Sequence, residues 1–569
     1  MYNGMVSSPE FAPSSMSMDY MDSPAQSPST VSTQSPAAAS ASIDSAFVAK
    51  HNSSAELYQM FKESVDLLLS GKVIIQEQAL LLSKIINLAS EMHTVFEDEK
   101  QYLLGDVLCN WAVKQQKLSI GTMWTQAMNY RELDTIHHQF EYFGELLEQT
   151  MSGLTYLIER YPEHGLNEIY MKFHHITHYF LYYSVVVAKQ PPSVVVKCGE
   201  AENHRRSRFW FDTEIRVLGG SAFGLDTTNE GVEVKCFLIT DDTAKQLLKN
   251  AYHPFGNEEF LISPPTANFQ KKNSHALKAK FDDMRVAKKD TLRRDSVALR
   301  RYCLCYDIHL RGNHGIELIG KKVSLPFAVL VGPKTDVEAK LFLERSFADL
   351  VRKPLSEVPA TVSYDEMATA IEMKFQAIAE TPQKSNEIIP VIEPRMFTNQ
   401  TKHHLVSRLK PNAAAQISIE NFLKHPVAEE YTWFFKVAEV VNKYLYSMWS
   451  NGLIYGFCGK DEAEHLLRGC SRSTLLIRFS DIEYGKVKIT CVVSVIRHHW
   501  YDHSDLNAKG LAKELLRNPK FSEVDCIYPN INMEVALGGR QKPVDTRKPR
   551  FLQPTPVYFD NQGAATSAF

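Results

Sequence analysis

The sequence lacks a disulfide pattern. Its nine cysteines stand singly along 569 residues, apart from Cys303 and Cys305. An odd count without regular spacing excludes a disulfide-scaffolded fold and fits a reducing compartment. The paired C-x-x-C spacing of a zinc site is also missing, and no metal or cofactor is expected. Long hydrophobic runs are absent: the most apolar stretch, YFLYYSVVVA at 179–188, falls short of the ~20 residues needed to span a bilayer. The first residues hold no basic segment followed by an apolar one, so no secretory leader is expected. Neither charge sign dominates. Lys and Arg number 63 against 66 Asp and Glu, a net charge of −3, so any contact with nucleic acid must come from a local basic region. No phosphate-binding G-x-x-x-x-G-K-[ST], kinase loop or G-x-S-x-G elbow occurs, and the chain is not read as an enzyme.

Composition divides the chain. Residues 1–45 are rich in Ser, Pro, Met and Ala and nearly uncharged. Such a segment cannot bury enough apolar surface to offset its ordering entropy, and disorder is expected. Its Ser8-Pro9, Ser23-Pro24, Ser27-Pro28 and Ser35-Pro36 pairs suit proline-directed kinases. Proline is then absent from residue 37 to 161, as long helices require. Apolar residues recur at helical spacing, as in Leu57, Met60, Phe61, Val65 and Leu68. Residues 46–190 therefore predict an antiparallel bundle of about four helices, the last covering GLNEIYMKFHHITHYFLYYSVVVA. His174 and His178 lie four apart there, but their aromatic and apolar flanks favour packing over metal binding.

After KQPPS (189–193), β-rich runs separated by Gly, Asn, Asp and Pro fill 191–345 and predict an all-β sandwich or barrel. Within it, residues 271–301 hold eleven Lys or Arg against four Asp. That excess reads either as a solvated loop or as a surface for a polyanion or an import receptor. Helices return over 346–450, with Trp433, Phe434, Phe435, Leu445 and Trp449 as a core. Residues 451–535 read helix, strands, helix, and a flexible tail is expected over 536–569.

The stretch STLLIRFS (473–480) places Arg478 in an apolar strand. An unpaired buried guanidinium is costly and cannot deprotonate. Arg478 therefore either has a carboxylate partner in Asp481 or Asp461, or awaits an anion. Lys460, eighteen residues earlier at a helix start, together with Ser480, would complete a site for a dianion such as phosphotyrosine.

These residues resemble the SH2 strand G-T-F-L-L-R-F-S of the STAT family, the signal transducers and activators of transcription. MWSNGLIYGFCGKDEAEHLL (448–467) resembles the family's linker-to-SH2 junction, and YPNI (528–531) a stretch after the last SH2 helix. AKQPPSVVVK and VSLPFAVLVG resemble the borders of its β domain. The chain looks like a divergent, nematode-type member lacking the N-terminal oligomerisation domain. The resemblance implies a multidomain α+β fold: helical bundle, immunoglobulin-like DNA-binding domain, helical linker and SH2 domain. It assigns phosphotyrosine binding to Arg478, Lys460, Ser480 and Asp481, the last standing where Glu is usual, and makes Tyr558, in PTPVYFDNQ, the tail phosphotyrosine.

The family's base-contacting asparagine falls on Gly332, followed by Pro333, and its acidic pair on Leu299 and Arg300. Glycine has no side chain for a base contact, so direct readout is altered. Lys235, Arg293, Arg294, Arg300, Arg301, Gly332 and Lys334 are the expected DNA-proximal positions. The implied function is a latent cytoplasmic transcription factor that dimerises by reciprocal SH2–phosphotyrosine contacts. It would enter the nucleus and bind DNA to control signal-induced defence or developmental genes. Implied partners are phosphotyrosine proteins, a second copy, DNA, tyrosine or proline-directed kinases and import receptors. The alternative is an SH2 adaptor or cofactor without base-specific DNA binding.

Overall fold

The computed structural model describes residues 44–162, 165–196, 211–256, 260–271, 276–288, 300–330, 335–380, 393–419, 427–538, 557–559 and 565–567. The expectations for residues 1–43 lie outside these, as do those for Arg293, Arg294, Leu299, Gly332, Pro333 and Lys334.

Helices α1 (Ser45–Leu69), α2 (Ile75–Gln101), α3 (Cys109–Leu118), α4 (Met123–Arg160) and α5 (Leu166–Ser184) open the described chain. Asp44 caps α1 by accepting from the Ala46 N–H, and Thr122 caps α4 by accepting from that of Thr125. A π-helical stretch, Tyr102–Leu108, joins α2 to α3 without a break. The expected last helix through Ala188 ends earlier, at Ser184. Val185–Lys189 form strand β1 instead and pair antiparallel with β3 (Phe211–Val217). Three successive valines, stiff at χ1 and suited to a pleated surface, favour the strand where β3 offers an edge.

The remaining strands of this region are β2 (Val194–Val196), β4 (Glu233–Thr240), β5 (Phe260–Ser263), β6 (Thr266–Lys271), β7 (Leu277–Lys288), β8 (Tyr302–Arg311), β9 (Glu317–Val323) and β10 (Ala328–Leu330). The main sheet runs β1-β3-β7-β6-β4-β8-β9, with β5 also on β7. Its pairings are antiparallel, while β2 and β10 form a separate parallel pair. Part of the basic segment, read as a loop in one expectation, is thus the twelve-residue strand β7.

Bundle and sheet share one hydrophobic core, in which Phe140, Phe143 and Phe180 join Ile215, Phe269, Phe281 and Tyr306. The chain after β3 comes close to α4: Gly219 has φ +61, and a Cβ there would lie 2.5 Å from the Phe140 carbonyl. Only glycine suits both the backbone and the space.

A second core spans the helices Thr335–Phe347, Tyr364–Ala379, Asn399–Ser407 and Val427–Val440 and continues into the strands beyond residue 470. Its centre is aromatic: Phe375 lies 5.3 Å from Trp449, and Phe457 lies 5.0 Å from Phe479, between ring centroids. This cluster crosses the expected boundary at 450, so linker and following unit are packed as one body. Fully buried Arg345 ties the regions together through the carbonyls of Pro191 and Pro326 and the Ser119 hydroxyl. Strands β11 (Thr361–Ser363) and β12 (Gln416–Ser418) form a small antiparallel pair.

The last sheet contains β13 (Thr474–Phe479), β14 (Val487–Val492), β15 (Ile496–Tyr501), β16 (Cys526–Ile527) and β17 (Ile531–Asn532), in the order β15-β14-β13-β16-β17. The run VKITCVVSVIRHHWY (487–501) is the hairpin β14–β15. The helix Lys460–Arg468 precedes the sheet, and Leu511–Arg517 follows the hairpin. Met533–Gly538, which reaches into the span expected as a flexible tail, is helical; the expectation for 539–556, 560–564 and 568–569 lies outside the described residues. Tyr558 falls in a short strand, Val557–Phe559, paired with Ala565–Ser567.

Candidate anion-binding site

All six residues of β13 are buried. Alternation sends Leu475, Ile477 and Phe479 into the aromatic core, while Leu476 packs with Cys458, Ala463 and Leu467 beside the helix Lys460–Arg468. Arg478 shares the face of Leu476. On one side it pairs across the ladder with Lys488, and on the other it forms a bridge with Gly456. Gly456 has φ +107, and an added Cβ would meet the Trp449 ring at 3.1 Å, so glycine is required for this close backbone approach.

Arg478 is 6% exposed. Its Nη1 donates to the Cys458 carbonyl at 3.3 Å and lies 3.9 Å from Asp481 Oδ2. Its Nε is buried without a hydrogen-bond partner, an arrangement that costs roughly 1–3 kcal/mol. The carboxylate partner considered for Arg478 is therefore only a grazing one. Asp481 directs Oδ1 to His404 instead, accepting from Nε2 at 2.8 Å, with Arg408 Nη1 at 3.6 Å.

Ser480 is buried, and its hydroxyl oxygen accepts from the Glu483 N–H at 3.1 Å. The hydroxyl proton remains to be donated to an anion. Lys460 opens its helix directly after Gly459, but its side chain is 60% exposed and its Nζ lies 3.7 Å from Glu464. The pocket cations expected from the sequence thus differ in depth: Arg478 lies within the sheet face and Lys460 at the rim.

The structure adds basic side chains that the sequence reading missed. Lys488 stands opposite Arg478, and His498 opposite Thr490, on the same sheet face. Glu483 accepts from both Lys486 and Lys488, which hold its carboxyl down to about 2. Glu464 takes Lys460, Arg468 and His498, the last at 3.1 Å. Burial pushes the Cys458 thiol up to about 12, which makes it inert at neutral pH. The face around Arg478 is a cationic surface whose outer members lean on two carboxylates.

The expected DNA-proximal residues divide. Lys235 is exposed on β4, and Arg300 is exposed before β8. Arg301, half-way into the fold, already has an acidic neighbour. Its fork grips Glu344, with Nε to Oε2 at 2.8 Å and Nη2 to Oε1 at 2.7 Å, so the guanidinium is committed within the chain. Among the described residues no cluster of metal-ligating side chains occurs, and no helix is long and apolar enough to cross a membrane.

Residues 45–182 match the family described as Signal transducer and activator of transcription b N-terminal. A Caenorhabditis elegans protein named Signal transducer and activator of transcription b is 62% identical over 545 residues, covering 92% of this chain and 96% of the relative. The chain belongs to the signal transducers and activators of transcription. A second C. elegans protein, Signal transducer and activator of transcription 1, is 24% identical over 489 residues, covering 76% of this chain and 66% of that relative. The chain is thus a nematode-type STAT, a member of a transcription-factor family and not an enzyme. Its mixed helix and strand composition accords with a multidomain α+β member of that family.

Proposed function

We propose that this STAT is a phosphotyrosine-switched transcription factor whose receptor site is the pocket of Arg478, Ser480, Asp481 and Lys460. One observation carries the reading: Arg478 is buried in the central strand, is only grazed by carboxylate and keeps an unpartnered Nε. A phosphate dianion supplies the missing charge and acceptors, and a tyrosine side chain is long enough to deliver it to that depth. The β13–β14–β15 sheet, with Lys460–Arg468 before it and Leu511–Arg517 after it, matches the layout implied by an SH2 domain. The test is binding of a phosphotyrosine peptide to the whole chain, followed by fluorescence anisotropy. Binding is expected for wild type, and neither for the unphosphorylated peptide nor for Arg478→Ala.

In the fuller account, phosphorylated Tyr558 of each chain enters the pocket of the other. The dimer passes from cytoplasm to nucleus and uses the β-rich region of 191–345 on DNA. The adaptor reading, without base-specific DNA contact, draws on Gly332, which lacks a base-reading side chain, and on Arg301, engaged by Glu344. Sequence-selective retardation of DNA by the phosphorylated dimer supports the transcription-factor reading. Retardation that ignores sequence favours the adaptor.

A further inference from the structure

We infer that the helix Asn399–Ser407 is a working part of the anion site: His404, seconded by Arg408, holds the Asp481 carboxylate off Arg478 and so sets how strongly the pocket takes a phosphorylated ligand. The inference rests on the pocket reading above and names positioning residues for it.

Gln400, His404 and Arg408 recur every four residues and therefore share one helix face. Each touches the unit that carries the pocket. Gln400 Nε2 donates to the Phe457 carbonyl at 2.8 Å, one residue before the Cys458 carbonyl that accepts from Arg478. His404 Nε2 meets Asp481 Oδ1 at 2.8 Å. Since a carboxylate only accepts, the ring nitrogen there is the donor. Arg408 lies 3.6 Å from the same oxygen, with its guanidinium 4.3 Å from the centre of the Trp433 ring. The neighbouring helix Val427–Val440 secures the same turn. Trp433 Nε1 donates to the Ser480 carbonyl at 2.7 Å, and Val440 packs against Gly485, where an added Cβ would meet it at 3.2 Å. The turn after β13 is thus held from behind by two helices outside the SH2-like sheet.

The distances rank the donors around Asp481: His404 at 2.8 Å, Arg408 at 3.6 Å and Arg478 at 3.9 Å. A carboxylate adjoining a guanidinium ordinarily closes onto it as a two-pronged ion pair. Here the His404 hydrogen bond turns Asp481 the other way and leaves the Arg478 fork open. A phosphate entering the pocket competes with Asp481 for that fork. Whatever releases Asp481 from His404 strengthens the competitor and weakens the ligand.

The experiment measures phosphotyrosine-peptide affinity by anisotropy on the full chain. His404→Phe keeps a ring and loses the donor, and affinity is expected to fall about tenfold, equal to ~1.4 kcal/mol. His404→Gln, which retains an N–H donor, is expected to restore most of it. In an Asp481→Asn background the competitor has lost its charge, and adding His404→Phe is expected to change affinity by less than twofold. Arg478→Ala serves as the reference for loss of the pocket. If His404→Phe fails to fold, as judged by circular dichroism, His404→Ala takes its place in both backgrounds, with the same outcomes expected. Equal affinity of His404→Phe and wild type, with Arg478→Ala inactive, overturns the inference and leaves the pocket standing. An equal loss with and without Asp481→Asn also overturns it, because His404 would then act through packing alone. Unchanged affinity of Arg478→Ala overturns the pocket itself.

Discussion

Trp433 donates its indole N–H to the Ser480 carbonyl at 2.7 Å, and both residues are buried. The bond links a helix before the expected residue-450 boundary to the turn that closes the anion site. Trp433→Phe keeps an aromatic ring but strands a buried carbonyl, which costs roughly 1–3 kcal/mol. The midpoint of denaturant unfolding should fall accordingly, and phosphopeptide affinity should fall with it. Loss of stability without loss of affinity would confine the bond to a structural role.

Arg478 and Lys460 should respond unequally. Arg478→Ala removes one member of a buried charge contact and should weaken phosphopeptide binding by roughly 2–5 kcal/mol. Arg478→Lys should also fail, because one ammonium cannot replace a planar fork. Lys460 is 60% exposed at the rim, and Lys460→Ala should cost no more than about 1 kcal/mol. Titration of one labelled phosphopeptide against the three variants checks the order. A Lys460 effect as large as that of Arg478 would place the phosphate at the rim.

Acid should loosen the junction between bundle and β sheet. His137 is buried on α4, and its Nδ1 accepts from the Gly219 N–H at 3.3 Å, a contact that needs the neutral ring. Burial, with Arg216 and His138 adding to it, pushes this histidine down from 6.5 to about 3. Glu141, 3.6 Å away, has its own carboxyl raised by burial. Between about 6.5 and about 3 the unfolded chain therefore binds the proton and the folded chain does not. Stability falls as pH falls through that window, by up to ~1.4 kcal/mol per pH unit from this group. His137→Gln should flatten that slope in denaturant melts at pH 4, 5, 6 and 7, whereas an unaltered slope would assign the acid sensitivity to other groups.

The sequence makes some of this legible and hides the rest. Arg478 and Ser480 are readable because an arginine inside an apolar strand is a local anomaly. His404 and Trp433 are not, since they meet the pocket from 77 and 47 residues away, and no spacing rule reaches that far. Lys488 and His498 share the face of Arg478 only through the strand register, which the undivided run 487–501 conceals. The end of α5 at Ser184 is misread because the apolar periodicity continues into β1. Tertiary pairing with β3 decides that boundary. Arg301 looks like any other basic residue until Glu344, 43 positions on, is seen to hold it.

That ion pair separates two effects within the basic segment. Neutralising Arg293, Arg294 and Arg300 together should lower DNA affinity across sequences and flatten its salt dependence, as expected for phosphate contacts. Arg301→Ala should instead destabilise the fold through Glu344 and leave the salt slope in place. Filter binding at several salt concentrations, paired with thermal melts, distinguishes them. A slope that changes only with Arg301 would reverse the assignment.

In the proposed mechanism, a tail phosphotyrosine and the Arg478 pocket close a reciprocal dimer. Tyr558 lies 27 residues beyond Ile531 of the YPNI stretch, and an extended chain covers up to ~3.3–3.6 Å per residue, a reach sufficient to cross to a partner. The second insertion is effectively intramolecular, so two modest contacts give a stable pair. Sedimentation velocity of wild type, Tyr558→Phe and Arg478→Ala after the same tyrosine-kinase treatment is the direct test. A dimer is expected for wild type and no phosphorylation-dependent dimer for either variant. Equal dimer fractions in all three would contradict the mechanism.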